Sequence, residues 1–180
     1  SPFHWVADPK ILFEKIDQYK CTHTWQPNFA LGHMVKSISL RNENSLDLSS
    51  LEYLACSSEP VIFSTINSFT DHFQNFKLKK NIIQNCYGMA ENTIYMCAST
   101  NRKLRTLSID YKEFKDNKII KIQNNGYTLV SSGVPLKNNI VNIFDDQNLI
   151  IPDGKIGNIY IKSNSLFDHY YNDPEKRKNI

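Results

Sequence analysis

The sequence predicts an α/β fold, with a doubly wound, mostly parallel sheet and helices in its N-terminal half and a β-rich, barrel-like part after it. Helix-like and strand-like segments alternate up to residue 98, which is typical of parallel sheets covered by helices. Beyond residue 99, short strand-like runs replace the helices. Hydrophobic residues make up 41% of the 180 residues, enough for a sizeable core. We therefore predict an α/β subdomain at 1–98 and a β-rich subdomain at 99–180.

The helices predicted in the first subdomain are marked by apolar residues at helical spacing. The first covers 7–21, where Asp8 is a candidate N-cap and Pro9 fits the first helical position. The second covers 29–40, and the third covers 57–76, where serines and a proline at the start resemble a helix cap. The third helix has a broad apolar face suited to packing on a sheet: Phe63, Ile66, Phe69, Phe73 and Phe76.

Three compact strand-like segments lie between these helices, at 22–25, 51–56 and 81–88. In an open parallel sheet, ligands bind beyond the carboxyl ends of the strands. The turns that follow the three segments begin at Pro27, Ser57 and Tyr87. We expect these turns to converge on one crevice.

The second subdomain is predicted from strand-like runs separated by turn residues. Acidic and amide residues at 145–148 and the Pro-Asp-Gly sequence at 152–154 mark two of the turns, and a polar link at 99–103 precedes the runs. The strand-like runs cover 105–109, 118–123, 127–132, 139–145, 149–152 and 158–163.

The charge of the chain gives no argument for nucleic acid as a partner. A net charge of +3 is small, and the basic clusters at 77–80, 102–105 and 176–178 have little aromatic interleaving. We interpret the clusters as solvated surface. No segment is long and apolar enough to span a bilayer, so no membrane span is expected.

The cysteines argue against a zinc site and for a cytoplasmic protein. The four cysteines form no C-x-x-C pair, and no two histidines lie at i and i+4. Cys56, Cys86 and Cys97 lie in or beside apolar runs. Their positions predict buried, reduced thiols.

The residues that follow the strands predict a nucleotide site. Tyr87 offers a flat face for a purine, and Gly88 allows close approach of the backbone. Ser57 and Ser58 offer hydroxyl and amide groups near the start of a helix. Glu91 would repel phosphates unless it binds Mg²⁺, so this carboxylate implies a metal bridge.

Structural explanations stay open for the same residues. A Tyr-Gly pair after a strand also forms an ordinary turn, and a nearby glutamate is often simply solvated. Ser57 and Ser58 with Glu59 also suit a helix cap. Phe29 and His33, four residues apart on one predicted helix, suit core and core-edge positions.

Five motifs, in the same order along the chain, resemble those of the adenylate-forming superfamily. NCYGMAENT at 85–93 resembles its Tyr-Gly-x-(Thr/Ala)-Glu motif, and DLSSLEYLACSSEPV at 47–61 resembles its Gly-Ala-Glu-Pro segment. PNFA at 27–30 resembles the fatty acyl-AMP ligases in particular. SIDYKEFKDNKI and then LVSSGVPL, within 108–136, resemble their link into a VSCG-x-P turn. DGKIGNIYIKSNSLFDHYYNDPE at 153–175 resembles the Gly-x-x-Gly-Glu-Ile stretch with the following Gly-Tyr and Pro-Glu.

The resemblance implies an enzyme that joins a fatty acid to ATP, releases pyrophosphate and leaves an acyl adenylate. A second step moves the acyl group to a thiol, on an acyl carrier protein or on coenzyme A. By position, Tyr87 lies against the adenine and Glu91 holds Mg²⁺. Backbone near the α-phosphate and the acyl carbonyl comes from Gly88, Met89 and Ala90.

The resemblance also assigns the two earlier turns. The adenine side is lined by Ser57, Ser58 and Glu59. The acyl tunnel is bordered by Phe29, Ala30 and His33.

The chain departs from the family pattern in several places. Asn158 stands where the family has Glu after Gly157, Ser57 and Ser58 replace Gly-Ala, and 168–169 replaces a small residue and Gly. The phosphate loop, the Thr-Gly-Asp segment and the C-terminal domain with its catalytic lysine do not occur in the sequence. We therefore expect a central fragment of the large N-terminal domain of a ligase, inactive by itself. An acyl-CoA ligase and a catalytically decayed nucleotide- or acyl-binding module stay open as alternatives.

Overall fold

The computed structural model describes residues 1–39, 46–99 and 104–173. The chain forms two compact units. The first comprises Ser1–Cys86, Ser99–Leu107 and Thr128–Gly133, and the second comprises Tyr87–Ala98, Ser108–Tyr127 and Val134–Ile180. The subdomains 1–98 and 99–180 stay a prediction. The compact units differ from this prediction in two respects. Residues 87–98 belong to the second unit, and residues 99–107 and 128–133 belong to the first.

Some sequence predictions fall outside the described residues. The basic residues at 102–103 and 176–178, the Pro-Glu pair at 174–175 and Leu40 at the end of a predicted helix belong to this group. Within the described part of the chain, every helix is too short or too polar to cross a membrane.

The first unit begins with two helices instead of the single predicted one. Helix α1 covers Pro2–Ala7 and helix α2 covers Lys10–Tyr19. The prediction of Asp8 as an N-cap is wrong: its backbone ends α1, where its N–H donates to the carbonyl of His4, and Pro9 occupies the N-cap of α2 without a side-chain hydrogen bond. Proline suits the start of α2 because N–H groups there have no acceptor within the helix, and proline has no N–H.

Three parallel strands form the sheet of the first unit, which confirms the prediction of a parallel sheet with helices. Strand β1 covers His23–Pro27, β2 covers Tyr53–Ser57 and β3 covers Ile83–Met89. β1 pairs with β2 from His23–Tyr53 to Pro27–Ser57, and β2 pairs with β3 at Leu54–Ile83 to Cys56–Asn85. Strand β2 is buried along most of its length, as a central parallel strand requires.

Helices α3 (Asn28–Ser37) and α4 (Phe63–His72), with a 3-10 helix at Gln74–Phe76, complete the first unit. The predicted phenylalanine face is confirmed. Phe69, Phe73 and Phe76 are buried, and each contacts Phe13 of α2 in an edge-to-face arrangement. These rings join α2 to α4 and to the 3-10 helix that follows it in one core.

The second unit is built from short strands and one helix. Strand β4 (Ile94–Ala98) pairs antiparallel with β7 (Val134–Pro135). Strands β8 (Asn139–Phe144) and β9 (Asn158–Ser163) pair antiparallel over six residues. Strands β5 (Thr106–Ile109) and β6 (Tyr127–Val130) form a separate two-stranded sheet, and the residues of both strands are divided between the first and the second unit.

The β-rich character of this region is confirmed, with three differences. Helix α5 (Tyr111–Asn117) was not predicted. The predicted strands at 118–123 and 149–152 contribute only isolated bridges, such as Ile109–Ile122 and Phe144–Ile150. The described strands do not close into a barrel, so the barrel-like arrangement is not confirmed.

The four cysteines, all within the described ranges, are free thiols, and Cys56, Cys86 and Cys97 are buried as predicted. Burial raises the pKa of the Cys56 thiol to about 12. The Cys97 thiol has a pKa above its usual value for the same reason.

Candidate functional site

The ends of β1 and β2 bring two of the predicted turns together within the first unit. Pro27 and Ser57 are register partners, because the two parallel strands end at the same level. The indole Nε1 of Trp25 donates a hydrogen bond of 2.8 Å to Oγ of Ser57. Ser57 is therefore buried at the end of β2, with its hydroxyl held by the neighbouring strand.

Two hydrogen bonds lock the start of α3 to the loop after β2. Oε1 of Glu59 accepts from the backbone N–H of Phe29 at 2.5 Å. Oδ1 of Asn28 accepts from the backbone N–H of Ile62 at 3.0 Å. The carboxylate of Glu59 satisfies an N–H in the first turn of α3, which otherwise has no intrahelical partner.

The predicted caps of the helix after β2 are wrong. Ser57 belongs to β2, and α4 begins at Phe63 with Ile62 as its N-cap and no side-chain cap. Ser58 lies exposed in the loop with φ of 73°, in the left-handed region. Ser58 therefore adopts a backbone conformation that glycine adopts more easily.

The three residues assigned to the acyl side occupy different environments. Phe29 is 58% exposed at the start of α3, whereas Ala30 is fully buried in the core. His33 donates through Nε2 to the carbonyl of Val6 at 2.9 Å, and its Nδ1 accepts from the Ser37 hydroxyl at 3.3 Å. The imidazole thereby ties α3 to α1, which agrees with the core-edge explanation.

Trp5 belongs to the same cluster and was missed in the sequence. Its indole contacts the rings of Phe29 and His33 edge-on, with centroid distances of 6.5 and 5.6 Å. A tryptophan in a six-residue helix gives no pattern from which this contact could be predicted.

The Tyr-Gly-x-Ala-Glu turn lies in the second unit. Tyr87 and Met89 are half-buried at the end of β3, Gly88 and Ala90 are exposed, and residues 90–92 form a 3-10 helix. A Cβ placed on Gly88 would overlap the carbonyl oxygen of Ile94 in the following strand. The backbone therefore folds so closely on itself that only glycine fits.

Glu91 is held at both its backbone and its side chain. Its carbonyl accepts from the backbone N–H of Phe167 at 2.8 Å, and its Oε1 accepts from the hydroxyl of Tyr170 at 2.5 Å. The hydrogen bond from Tyr170, followed by a backbone hydrogen bond, holds the pKa of the Glu91 carboxyl below its usual value despite some desolvation. The same contact raises the pKa of the Tyr170 hydroxyl.

Sequence reasoning missed the contact of Tyr170 with Glu91. The resemblance aligned Tyr170 with a Gly-Tyr motif but gave it no partner. The signal that could have found it is the presence of both a tyrosine motif and a glutamate motif of one family, but the two residues lie 79 positions apart.

The donor set around Glu91 suits Mg²⁺ together with phosphate ligands. The described residues contain no group of three or more His, Cys, Asp or Glu side chains that could hold a metal ion. Mg²⁺ is commonly held by one or two carboxylates plus substrate phosphates. Oε1 of Glu91 accepts from Tyr170, which leaves Oε2 without a hydrogen bond to another described residue.

The structure thus brings two of the three predicted turns together, those at Pro27 and Ser57. The turn at Tyr87 belongs to the second unit. Its convergence with the other two stays a prediction, and so do the ligand roles of all the residues named above.

The chain is an α/β protein, and its candidate site residues lie near the carboxyl ends of parallel strands. Residues 2–171 match the AMP-binding enzyme family, so the chain belongs to that family. This confirms the resemblance to the adenylate-forming superfamily.

Curated relatives of the chain are longer than the chain itself. It is 24% identical over 179 residues to the 4-hydroxyphenylalkanoate adenylyltransferase of Mycobacterium tuberculosis, covering 98% of this chain and 29% of that protein. It is 28% identical over 187 residues to the medium-chain-fatty-acid–acyl-carrier-protein ligase of Moorena producens, covering 99% and 31%. The chain therefore spans about three-tenths of the length of these relatives.

A solved structure gives the same relationship. The fatty acyl-adenylate ligase of L. pneumophila, solved with acyl adenylate and pyrophosphate, is 32% identical to this chain with a TM-score of 0.90. The match covers 98% of this chain and 31% of that one. The folds agree over nearly the whole chain.

Proposed function

We propose that this chain is part of a longer ATP-dependent ligase that activates a fatty acid as acyl adenylate and passes the acyl group to the thiol of an acyl carrier protein. Membership of the AMP-binding enzyme family supports the adenylation step. The observation that carries the proposal is the Tyr87–Glu91 turn, where the backbone excludes any side chain at Gly88 and two hydrogen bonds hold Glu91.

Within that turn, Tyr87 stacks on the adenine, and Gly88, Met89 and Ala90 present backbone to the α-phosphate and the acyl carbonyl. The partial exposure of Tyr87 supports this role, because part of the residue stays accessible to a ligand. Adenylation needs mainly positioning and neutralisation of phosphoryl charge, which a rigid backbone turn supplies.

Glu91 binds Mg²⁺ through its carboxylate in this proposal. The cation supplies charge neutralisation at the phosphates of ATP, and Glu91 fixes where that charge lies. A single carboxylate with one oxygen left unpaired by the other described residues supports a shared site of this kind.

The residues of the first unit have graded roles. Ser57, Ser58 and Glu59 form the adenine-side loop, and the bond from Glu59 to Phe29 supports a role in holding the loop rather than in contacting the nucleotide directly. Phe29 is the acyl-side residue best supported by exposure. Ala30 and His33 act behind it as packing.

The acceptor and the compartment belong to the same proposal. Relatives named as acyl-carrier-protein ligases favour a carrier protein over coenzyme A. The free thiols of the chain favour the cytoplasm. A barrel-like arrangement of the β-rich part stays a proposal for the longer protein.

The test uses the longer protein with ATP, Mg²⁺ and a series of fatty acids. Acyl adenylate is measured by mass spectrometry and by ATP–pyrophosphate exchange, and transfer is measured with holo-acyl carrier protein and with coenzyme A. We expect adenylate from fatty acids and transfer to the carrier protein. Transfer only to coenzyme A would assign an acyl-CoA ligase, and exchange with none of the acids would assign a decayed binding module.

Glu91→Ala tests the residue that the proposal depends on most. Loss of the charge partner is expected to lower adenylate formation by roughly 100-fold or more, with the circular dichroism spectrum unchanged. Glu14→Ala is the control, because Glu14 forms an exposed ion pair with Lys10 one helical turn away and has no assigned role. Near-normal adenylate yield from Glu91→Ala would remove the metal role.

A further inference from the structure

A short segment late in the chain is fastened to the Glu91 turn. Residues 165–170, here called the strap, make contacts with the turn at three points. The Thr93 hydroxyl donates to the carbonyl of Ser165 at 3.0 Å. The Phe167 N–H donates to the carbonyl of Glu91 at 2.8 Å, and the Tyr170 hydroxyl donates to Oε1 of Glu91 at 2.5 Å. In the first two bonds the acceptor is a backbone carbonyl, and in the third it is the side-chain carboxylate of Glu91.

The Tyr170 hydroxyl is itself fixed in place. Its ring packs edge-on against Phe167 at a centroid distance of 4.7 Å. Its backbone carbonyl accepts from the N–H of Asp173 at 3.0 Å, which closes a turn. The ring contact and the backbone turn together restrict where the Tyr170 hydroxyl lies.

The carboxylate of Glu91 needs such a restraint. Glu91 lies in a three-residue 3-10 helix and is half-buried, so the helix alone does not fix the torsions of its side chain. The hydrogen bond from Tyr170 to Oε1 restricts the rotation of the carboxylate and therefore the positions that Oε2 can take. Outer hydrogen bonds of this kind commonly tune a metal-binding carboxylate.

We infer that Tyr170 is a positioning residue for Glu91: its hydroxyl holds Oε1 so that Oε2 is presented to the cation that accompanies ATP. The inference rests on the proposed function, because it assigns a helper to the proposed metal ligand. It adds a residue from the strap to a site otherwise built on the turn after β3.

The competing explanation is that the bond only staples the strap to the turn. A staple contributes to stability, but it leaves the affinity for the cation unchanged. The two explanations differ in the metal dependence of Tyr170→Phe, which removes the hydroxyl and keeps the ring packed on Phe167.

The experiment compares Tyr170→Phe with two control variants in the longer protein. Tyr171→Phe removes the hydroxyl of the adjacent tyrosine, which is 92% exposed. Thr93→Val removes a strap bond that does not involve the carboxylate. Both controls are expected to keep the metal dependence of the unsubstituted protein, and Thr93→Val is expected to lower only the melting temperature.

Two quantities are measured for each variant. The first is the Mg²⁺ concentration for half-maximal adenylate formation, alongside the KM for the fatty acid. The second is the binding of Mn²⁺ in the presence of a non-hydrolysable ATP analogue, followed by electron paramagnetic resonance. For Tyr170→Phe we expect roughly 10-fold weaker binding of the cation in both measurements and an unchanged KM for the fatty acid.

An unchanged metal affinity in Tyr170→Phe, with adenylate still made by the unsubstituted protein, would overturn the positioning role and leave the proposed function intact. Absence of adenylate from the unsubstituted protein would overturn the proposed function, and the positioning role with it. An equal loss of metal affinity in Thr93→Val would also overturn the positioning role, because it would make the effect a general loosening of the strap.

Discussion

At the scale of single residues, the Tyr87–Glu91 turn depends on a side chain that is absent. A Cβ on Gly88 would overlap the carbonyl oxygen of Ile94, whereas Gly32 in α3 has ordinary room, with the Thr65 methyl 3.7 Å from the place that an alanine Cβ would take. The two positions therefore differ in whether they can accept a side chain. Gly88 is required because backbone atoms occupy the space of a Cβ, whereas Gly32 has room for a Cβ and lowers the stability of its helix.

Gly88→Ala and Gly32→Ala test this contrast. We expect Gly88→Ala to lower the free energy of unfolding by about 2–4 kcal/mol, because the backbone must separate to admit a methyl group. We expect Gly32→Ala to raise it by about 0.5–1 kcal/mol, because alanine favours the helix. Urea denaturation followed by circular dichroism measures both, and equal effects of the two substitutions would contradict the close-approach argument.

At the scale of elements, helix α5 owes its start to one capping residue. Oδ1 of Asp110 accepts from the backbone N–H groups of Lys112 and Glu113 at 3.0 and 3.2 Å. An aspartate followed three residues later by a glutamate is a capping signature, and it stands at 110–113 in the sequence. The helix could therefore have been predicted, but the surrounding strand-like runs drew the interpretation of this region towards β-structure.

Asp110→Ala tests the cap. Loss of the two hydrogen bonds is expected to lower the free energy of unfolding by about 1 kcal/mol. Asp116→Ala in the same helix is the control, because Asp116 is exposed and lies away from the helix start. The cap argument fails if the two substitutions have the same effect in urea denaturation.

At the scale of the whole molecule, burial is uneven between the two units. The first unit holds the phenylalanine cluster and the buried strand β2, whereas the buried hydrophobic residues described in the second unit are Met96, Cys97 and Ile109. Strands β8 and β9 keep a full six-residue ladder but bury few side chains. Both units therefore contain hydrogen-bonded ladders, but among the described residues the large apolar core lies in the first unit.

Amide hydrogen exchange measures this difference. We expect peptides from β2 to exchange at least roughly 10-fold more slowly than peptides from β8 and β9, because opening of a buried strand exposes more apolar surface. Exchange read by mass spectrometry on the intact protein gives both values in one experiment. Equal protection of β2 and β8 would show that the ladder, and not burial, sets local stability.

Sequence reasoning was most successful for features that depend on residues close together in the chain. The apolar spacing of 57–76 predicted the buried face of Phe69, Phe73 and Phe76, and the alternation of helices and strands predicted parallel pairing of β1, β2 and β3. The close approach of backbone at Gly88 was predicted from the residue type, although β3 continues through Met89, two residues beyond the predicted start of the turn at Tyr87. The buried cysteines followed from their apolar neighbours.

The failures of sequence reasoning concern choices that several chain segments make together. Ser57 and Ser58 looked like a helix cap, but pairing with β1 extended β2 through Ser57 and moved the helix start to Phe63. Glu59 looked like a part of that cap, yet its carboxylate satisfies the N–H of Phe29 instead. An N–H group at the start of a helix donates to whichever acceptor the folded chain places beside it, and that acceptor is set by tertiary packing.

The sequence by itself determined the class of this protein, its parallel strands and the turns that follow them, because hydrophobic period, glycine and family motifs are properties of neighbouring residues. Only the tertiary structure decided that Tyr170 reaches Glu91, that Glu59 reaches Phe29 and that His33 ties α3 to α1. The physical reason is distance along the chain. A hydrogen bond between residues 30 or 79 positions apart leaves no periodic mark, and it exists only once the packing of both segments has fixed where each side chain lies.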